Sequence, residues 1–163
     1  MKTILTLFIA ITLLSCKESN TNSASVMTIE IDGVTHHFKT IDWSRSTVDF
    51  GTEVIHIELL EEGNPVSFNL HVHDMGILEK SSGDYTLPDD NKTGPTIYLD
   101  FFNKEREGRK ANRRIGFAKG DIEIKQLSKD KLDMTFNGEG NGMMETGDLF
   151  SIKGHSNVDL QKQ

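Results

Sequence analysis

Apolar and polar residues alternate along most of the chain, a pattern typical of β-strands with one buried face. The clearest case lies on both sides of Asp32-Gly33, where apolar side chains occupy every second position. An Asp-Gly pair between two such runs is a strong signal for a two-residue β-turn. The pattern predicts a hairpin with Ile29 opposite His36, so that His36 points inward and His37 points outward.

A second hairpin is predicted from Ile55–Leu59 and Val66–Val72, two alternating runs joined by a turn at residues 61–64. We expect Leu59 to pair with Val66 across this turn. Five further runs predict strands at Thr96–Phe102, Ile115–Ala118, Asp121–Gln126, Leu132–Asn137 and Leu149–Leu160.

Helical spacing of apolar residues is not sustained over about 12 residues anywhere, so any helix should be a single turn. Gly154 interrupts the last apolar run and predicts a bulge. Short strands separated by turn-rich clusters favour one all-β domain. We expect a single antiparallel β-sandwich or a partly open barrel of about eight to ten strands.

The first 16 residues differ from the rest, because Lys2 precedes an apolar stretch, Thr3–Ser15, that ends at the only cysteine, Cys16. This stretch is shorter than the roughly 20 residues of a membrane-spanning helix. A charged start, a short apolar middle and small residues at the end are typical of a secretory signal peptide. The sequence LLSC at residues 13–16 resembles the lipobox of bacterial lipoproteins. In that family the cysteine thiol receives a diacylglycerol and the new amino terminus is acylated.

The lipobox resemblance implies a chain of three parts. Residues 1–15 would form a signal helix that is removed, and residues 16–26 a lipidated Cys16 with a flexible tether. The tether is polar, small and without periodicity, which is typical of a flexible linker. The β-domain would occupy residues 27–163, and disulfides cannot stabilise it because Cys16 is the only cysteine.

Several acyl chains on one residue would hold the protein durably on a membrane, since each buried methylene contributes about 0.8 kcal/mol. In the lipoprotein family, a residue other than aspartate after the cysteine implies the outer membrane, and here that residue is Lys17. Lys17-Glu18 also resembles the start of the surface-export signal of Bacteroidetes lipoproteins. We expect a lipid-anchored protein of the cell envelope, on the periplasmic or the external side of the outer membrane.

Three segments in the last third of the chain share a common pattern: Gly120–Ile124, Leu132–Gly138 and Phe150–Gly154. In these segments the chain resembles small uncharacterised β-rich outer-membrane lipoproteins of Bacteroidetes. The pattern that they share is structural: a strand, a short turn, and a strand that ends in a phenylalanine followed by a glycine. The resemblance therefore implies a fold and a cellular address, and it implies no activity.

The formal net charge of −7 argues against nucleic acid as a partner through the overall field of the protein. Residues 104–114 are a basic exception between two predicted strands. A solvated hairpin loop explains this segment, and a patch for phosphate or acidic glycan is the alternative.

Three histidines form the best candidate for chemistry. His71 and His73 would lie on one face of a strand, because they are two positions apart and a strand has a period of two. With Leu59 opposite Val66, His56 would become a diagonal neighbour of His71. Three imidazoles can form an open zinc site that activates water for hydrolysis. The alternative is a polar outer face with unligated histidines.

Aromatic and flexible residues give the remaining candidates. Trp43 could stack on a sugar ring, or it could anchor the rim of the core. Tyr85 and Tyr98 raise the same two alternatives. The glycine-rich segment Gly138–Gly147, which presents Met143 and its neighbour Met144, is a flexible loop or an adaptable surface for a protein partner.

Three functions therefore remain open. We prefer a lipid-anchored binding or interaction module, whose partner is a glycan or an envelope protein and which needs no cofactor. An envelope immunity or inhibitor protein is the second hypothesis, since an acidic surface suits a basic target. A zinc-dependent hydrolase that uses His56, His71 and His73 is the third.

Overall fold

The computed structural model describes residues 26–73, 76–88, 96–107 and 113–161. The predicted signal helix, the lipidated Cys16 and most of the tether lie outside these ranges. The elements, in chain order, are β1 (Met27–Ile31), β2 (Val34–Phe38), β3 (Thr47–Phe50), β4 (Ile55–Leu59), β5 (Val66–His73), α1 (Ile77–Lys80), β6 (Gly83–Leu87), β7 (Thr96–Asn103), β8 (Arg114–Leu127), β9 (Lys131–Gly142) and β10 (Phe150–Asp159).

Nine strands form one antiparallel sheet in the order β2-β1-β10-β9-β8-β7-β5-β4-β3, and β6 pairs with β8 beside this path. The sheet curls into a half-barrel. The predicted all-β class is confirmed, and its architecture is that of a partly open barrel. The helix α1 is a single turn, as the lack of helical spacing predicts.

The inner face of the curled sheet carries one hydrophobic core, formed by alternate residues of the strands. A row of phenylalanines crosses its centre. Phe101 lies 5.6 Å from Phe136 and 6.2 Å from Phe68, measured between ring centroids. Edge-to-face and tilted packing of this kind stabilises aromatic cores beyond the burial of apolar area. The other face of the sheet is therefore left for polar side chains and for function.

The first predicted hairpin is confirmed. Ile29 lies opposite His36, and Asp32 and Gly33 adopt positive φ angles of 50° and 77°, which the two-residue turn requires. His36 is half-buried on the inner side, whereas His37 is exposed.

The register predicted for the second hairpin is wrong by two residues, because Leu59 lies opposite Phe68. The cause lies outside the hairpin. The backbone of Leu60 accepts a hydrogen bond from the Asp42 amide (2.8 Å) and donates one to Ser46 Oγ (3.0 Å). These bonds tie the β4–β5 connection to the segment before β3, so the connection is longer than a tight turn.

Strands β8 and β9 are longer than their apolar runs predict, whereas β10 is one residue shorter at each end than its predicted run. The two runs predicted at 115–118 and 121–126 form the single strand β8, which is interrupted by irregularities at Phe117/Lys119 and Ile124/Gln126. Strand β9 continues to residue 142, so the first half of the predicted glycine-rich loop is strand. Here β8 and β9 approach closely, since a Cβ on Gly140 would lie 2.0 Å from the Gly116 carbonyl oxygen.

The bulge predicted at Gly154 is wrong. Strand β10 keeps a regular register through Gly154 with both of its neighbours. The glycine instead makes room for a core ring, because a Cβ there would lie 2.4 Å from the Phe136 ring. Two short strands, β3 and β6, carry too few apolar residues to be predicted from alternation.

Candidate functional site

The sheet splits between β7 and β8. Strand β7 pairs with β5 along its whole length, but within the described residues its ladder with β8 covers only Asp100–Phe102. Further along, β8 pairs with β6 instead. The irregularity of β8 between Phe117 and Lys119 lies at this split. Bulges of this kind bend a strand and often lie next to binding sites.

A cavity of about 550 Å³ lies at the split and is lined by residues of both the core and the opposite face of the sheet. We call it the fork cleft. Its lining comes from β5, β7, β8 and the ends of β6 and β9. It includes the core residues Ile97, Leu99 and Phe117 as well as His71, His73, Leu87, Pro88, Thr96, Tyr98, Asp100, Arg114, Gly116, Ala118 and Met143. A concave site of this size, with both apolar and polar groups, is typical of small-ligand pockets.

Two large apolar side chains of the fork cleft face solvent. Tyr98 and Met143 are each 57% exposed. The backbone of Met143 is fixed at the cleft, because its amide donates a 2.9 Å hydrogen bond to the carbonyl oxygen of Arg114. The cleft therefore presents an exposed aromatic ring and a polarisable thioether on an anchored backbone, and both suit contact with a ligand.

The polar centre of the cleft is an ion pair between Asp100 and Arg114. Arg114 Nε donates to Asp100 Oδ1 at 3.0 Å and Arg114 Nη2 donates to Oδ2 at 2.8 Å. Asp100 is only 7% exposed, whereas the side chain of Arg114 is 50% exposed. The hydrogen bond with Asp100 raises the pKa of Arg114. The bidentate geometry fixes both planar groups, since two parallel bonds remove their rotation.

His56 and His71 form a stacked pair beside the cleft. They lie directly opposite each other on β4 and β5, with ring centroids 4.3 Å apart and an angle of 11° between the ring planes. The diagonal arrangement predicted from the sequence is wrong because of the register shift. Burial lowers the pKa of His71, the charge of His56 lowers it further, and Asp100 partly opposes this shift.

The stacked pair borders a second cavity, of about 410 Å³, which we call the histidine groove. It shares His71, Asp100 and Arg114 with the fork cleft and extends toward β3 along the outer face. Glu58 and Lys104 lie at its border, so its polar groups carry both signs of charge.

His73, the third predicted ligand, contacts the ring of Tyr98. Their ring centroids are 5.8 Å apart and the ring planes are nearly perpendicular, at 87°. In the part of the chain that the structure describes, no group of three or more histidine, cysteine or acidic side chains is arranged to hold a metal ion. A zinc site at His56, His71 and His73 stays a prediction.

Trp43 lies far along the chain from the cleft, in the β2–β3 connection, where it packs partly buried against the core. It borders a separate cavity of about 660 Å³ together with Arg45 and Glu62. Asp42 fixes this turn through hydrogen bonds from Ser44 and Arg45, which lower the pKa of Asp42. The role of Trp43 in glycan stacking stays a prediction.

The structure adds Asp100 and Arg114 to the site, and sequence reasoning missed both. One signal was available for Asp100, because it is the only acidic residue in the apolar run of β7. A carboxylate at such a position needs a partner when it is buried. The identity of the partner, 14 residues later in β8, follows only from the pairing of the two strands.

Comparisons with protein-family models, with curated proteins and with solved structures find no match. Over the described ranges, no helix is long and apolar enough to span a membrane.

Proposed function

We propose that this protein is a lipid-anchored binding module of the cell envelope that holds its ligand in the fork cleft. The observation that carries the proposal is the combination of an exposed Tyr98 and Met143 with the fixed Asp100–Arg114 pair in one concave site. Pockets that combine apolar area with a few fixed polar groups are the usual places for ligands.

A binding role agrees better with the polar centre than a catalytic role. Both oxygens of Asp100 accept hydrogen bonds from Arg114, so the carboxylate is held in a bidentate pair with a fixed orientation. Such a pair offers donors and acceptors in fixed positions, which favours recognition over turnover.

The anchor is supported by the LLSC sequence at residues 13–16 and by its resemblance to a lipobox. The tether after Cys16 has about 10 residues, for which a flexible chain spans roughly 18 Å. That length would keep the β-domain close to the outer membrane, where an envelope ligand is available.

Site-directed photo-crosslinking tests the location of the ligand site. A photoreactive amino acid replaces Met143 in the full-length protein within cells, and Val34 serves as the matched control, because it is also 57% exposed but lies on β2. We expect covalent adducts with an envelope component from position 143 and none from position 34. Equal adducts at both positions, or none at position 143, would contradict the proposal.

An envelope inhibitor is a second candidate, and the exposed Met143, Met144 and Leu149 of the β9–β10 connection favour it. Adaptable methionine-rich surfaces suit protein partners. In the crosslinking experiment this candidate predicts adducts with a single protein from positions 143 and 149 alike.

The third candidate is a zinc-dependent hydrolase. It is supported by the position of His56, His71 and His73 on the outer face of β4 and β5. It predicts about one zinc ion per chain after dialysis. Elemental analysis of the purified protein decides this point, and a clearly substoichiometric zinc content would exclude a resident zinc site.

A further inference from the structure

The ring of Tyr98 provides a surface in the fork cleft on which a flat ligand can pack. Tyr98 is more than half exposed, yet its ring is held by the perpendicular contact with His73. A rigid aromatic ring loses little conformational entropy when a ligand packs on it. The C–H groups on one side of a pyranose ring form a flat apolar surface that complements such a ring.

The polar centre next to Tyr98 complements the hydroxyl groups of a sugar. A guanidinium has five N–H donors, and Asp100 uses two of them on Arg114. Each oxygen of Asp100 keeps a further lone pair. Each hydroxyl of a sugar can donate one hydrogen bond and accept others, and this pair offers acceptors on Asp100 and donors on Arg114 at fixed separation.

The charge of the site favours a neutral ligand. The carboxylate of Asp100 and the guanidinium of Arg114 neutralise each other within the cleft. The lowered pKa of His71 keeps this imidazole uncharged at neutral pH. An acidic glycan would have to approach a site that already contains a paired carboxylate, and so would gain little from Arg114.

The shape of the cleft favours a compact ligand over an extended peptide. The β7–β8 ladder closes one end at Asp100 and Gly116, and the end of β6 at Leu87-Pro88 borders the other. Only residues 96–99 of β7 lie along the open part. This length is about 13 Å for a β-strand, so an added strand would form few ladder bonds.

We propose that the fork cleft binds a neutral pyranose unit of a glycan, which stacks on Tyr98 and places adjacent hydroxyls on the Asp100–Arg114 pair. This inference rests on the proposed binding function and names its ligand class. The patch for phosphate or acidic glycan at residues 104–114 stays a separate prediction.

Binding of defined oligosaccharides tests the inference. The full-length protein is kept in a detergent without a sugar headgroup, because alkyl glycosides would compete. The probes are immobilised oligosaccharides of neutral hexopyranoses, the matching uronate-containing oligosaccharides, and extended apolar peptides. We expect binding to at least one neutral oligosaccharide, inhibition by the free sugar, and weaker binding of the uronate form.

Variants connect the binding to the cleft. Tyr98→Ala should weaken it about two- to twelvefold, as aromatic contacts worth roughly 0.5–1.5 kcal/mol imply. Tyr98→Phe should retain it, because stacking needs the ring and not the hydroxyl. Met144→Ala is the control, since Met144 is exposed and does not line the cleft. Melting temperatures of all variants exclude unfolding as the cause.

Each outcome separates the two proposals. Unchanged binding in Tyr98→Ala, or no binding to any neutral probe at millimolar concentration, would overturn the sugar inference. If a peptide or a uronate binds instead and Tyr98→Ala weakens it, the cleft is a binding site but its ligand is not a neutral sugar. Absence of crosslinks at position 143 would overturn the binding function itself.

Discussion

At the scale of single residues, the stacked histidines show how burial changes a side chain's chemistry. His71 faces outward, but its contact with His56 and its position beside Asp100 remove part of its hydration. Protonation would place a charge in this partly dry site, next to a second imidazole. Because the pKa of His71 is lowered in this way, the folded state favours its neutral imidazole over the protonated form.

Acid should therefore destabilise the protein in the range where histidine titrates. The native state binds fewer protons than the unfolded chain, since the pKa of His71 and of the half-buried His36 is lowered by burial. This stability is present above about pH 6.5 and is lost as the pH falls below that value. We expect a lower melting temperature at pH 5 than at pH 7.5, measured by circular dichroism.

The variant His71→Asn should reduce this pH-dependent drop, and His155→Asn, at an exposed position of β10, should leave it unchanged. The lowered pKa values of Asp42 and Glu61 do not interfere, because ordinary carboxyl groups titrate below about pH 5. The same drop in His71→Asn and in the unmodified protein would refute this assignment.

The Asp100–Arg114 pair should respond asymmetrically to substitution. Arg114→Leu leaves a buried carboxylate without its partner, which should cost about 1–3 kcal/mol of unfolding free energy. Asp100→Asn leaves a guanidinium that is half exposed to water, so we expect a loss below about 1 kcal/mol. Urea unfolding measures both, and Lys119→Leu is the control, because its 3.9 Å pair with Glu139 is exposed.

The double variant with Asp100→Asn and Arg114→Leu should recover part of the loss of Arg114→Leu, since no buried charge remains. A larger cost for Asp100→Asn than for Arg114→Leu would mean that the pair stabilises the fold through another contact.

At the scale of the elements, local sequence signals predict the register of a hairpin when its turn fixes that register. They fail when contacts with a distant segment determine the register. The β1–β2 hairpin follows from Asp32-Gly33 and the alternation around it, because a two-residue turn fixes the register. The register of β4 and β5 does not follow, because the Leu60 backbone bonds to a segment 14 residues earlier at Ser46. The alternating residues of β4 and β5 contain no pattern that predicts this contact.

Close packing of β8 against β9 gives a prediction at this scale. Gly140→Ala would place a methyl group 2.0 Å from the Gly116 carbonyl oxygen and 2.7 Å from Ile152 Cδ1. The strands must separate to accommodate it, and overpacking of this kind costs about 1–3 kcal/mol. Urea unfolding should show that loss for Gly140→Ala.

Gly147→Ala is the matched control, because nothing lies within 4 Å of the added Cβ. We expect a change within about 0.5 kcal/mol for this variant. Similar unfolding free energies of the two variants would show that β8 and β9 can separate to accommodate the methyl group without loss of stability.

At the scale of the whole molecule, the candidate site exists only because the curled sheet splits between β7 and β8. Alternation in the sequence predicts that His71 and His73 share a face with polar neighbours, and the structure agrees. It cannot predict that β7 diverges from β8 after three pairs, or that β6 takes its place. These features depend on strand order, which no single run of residues encodes.

Anchoring and binding should be separable, since the proposed lipid site at Cys16 precedes the tether and the fork cleft lies in the sheet. Labelled palmitate should enter the unmodified protein and fail to enter Cys16→Ala, which should leave the membrane fraction because no acyl chain holds it. Binding of the oligosaccharide probe should persist in any Cys16→Ala protein recovered, since the residues proposed to hold the sugar, Tyr98, Asp100 and Arg114, lie in the sheet. Equal palmitate labelling of both proteins would show that the lipid is attached to a residue other than Cys16. Absence of label in the wild-type protein would contradict the proposed lipid anchor.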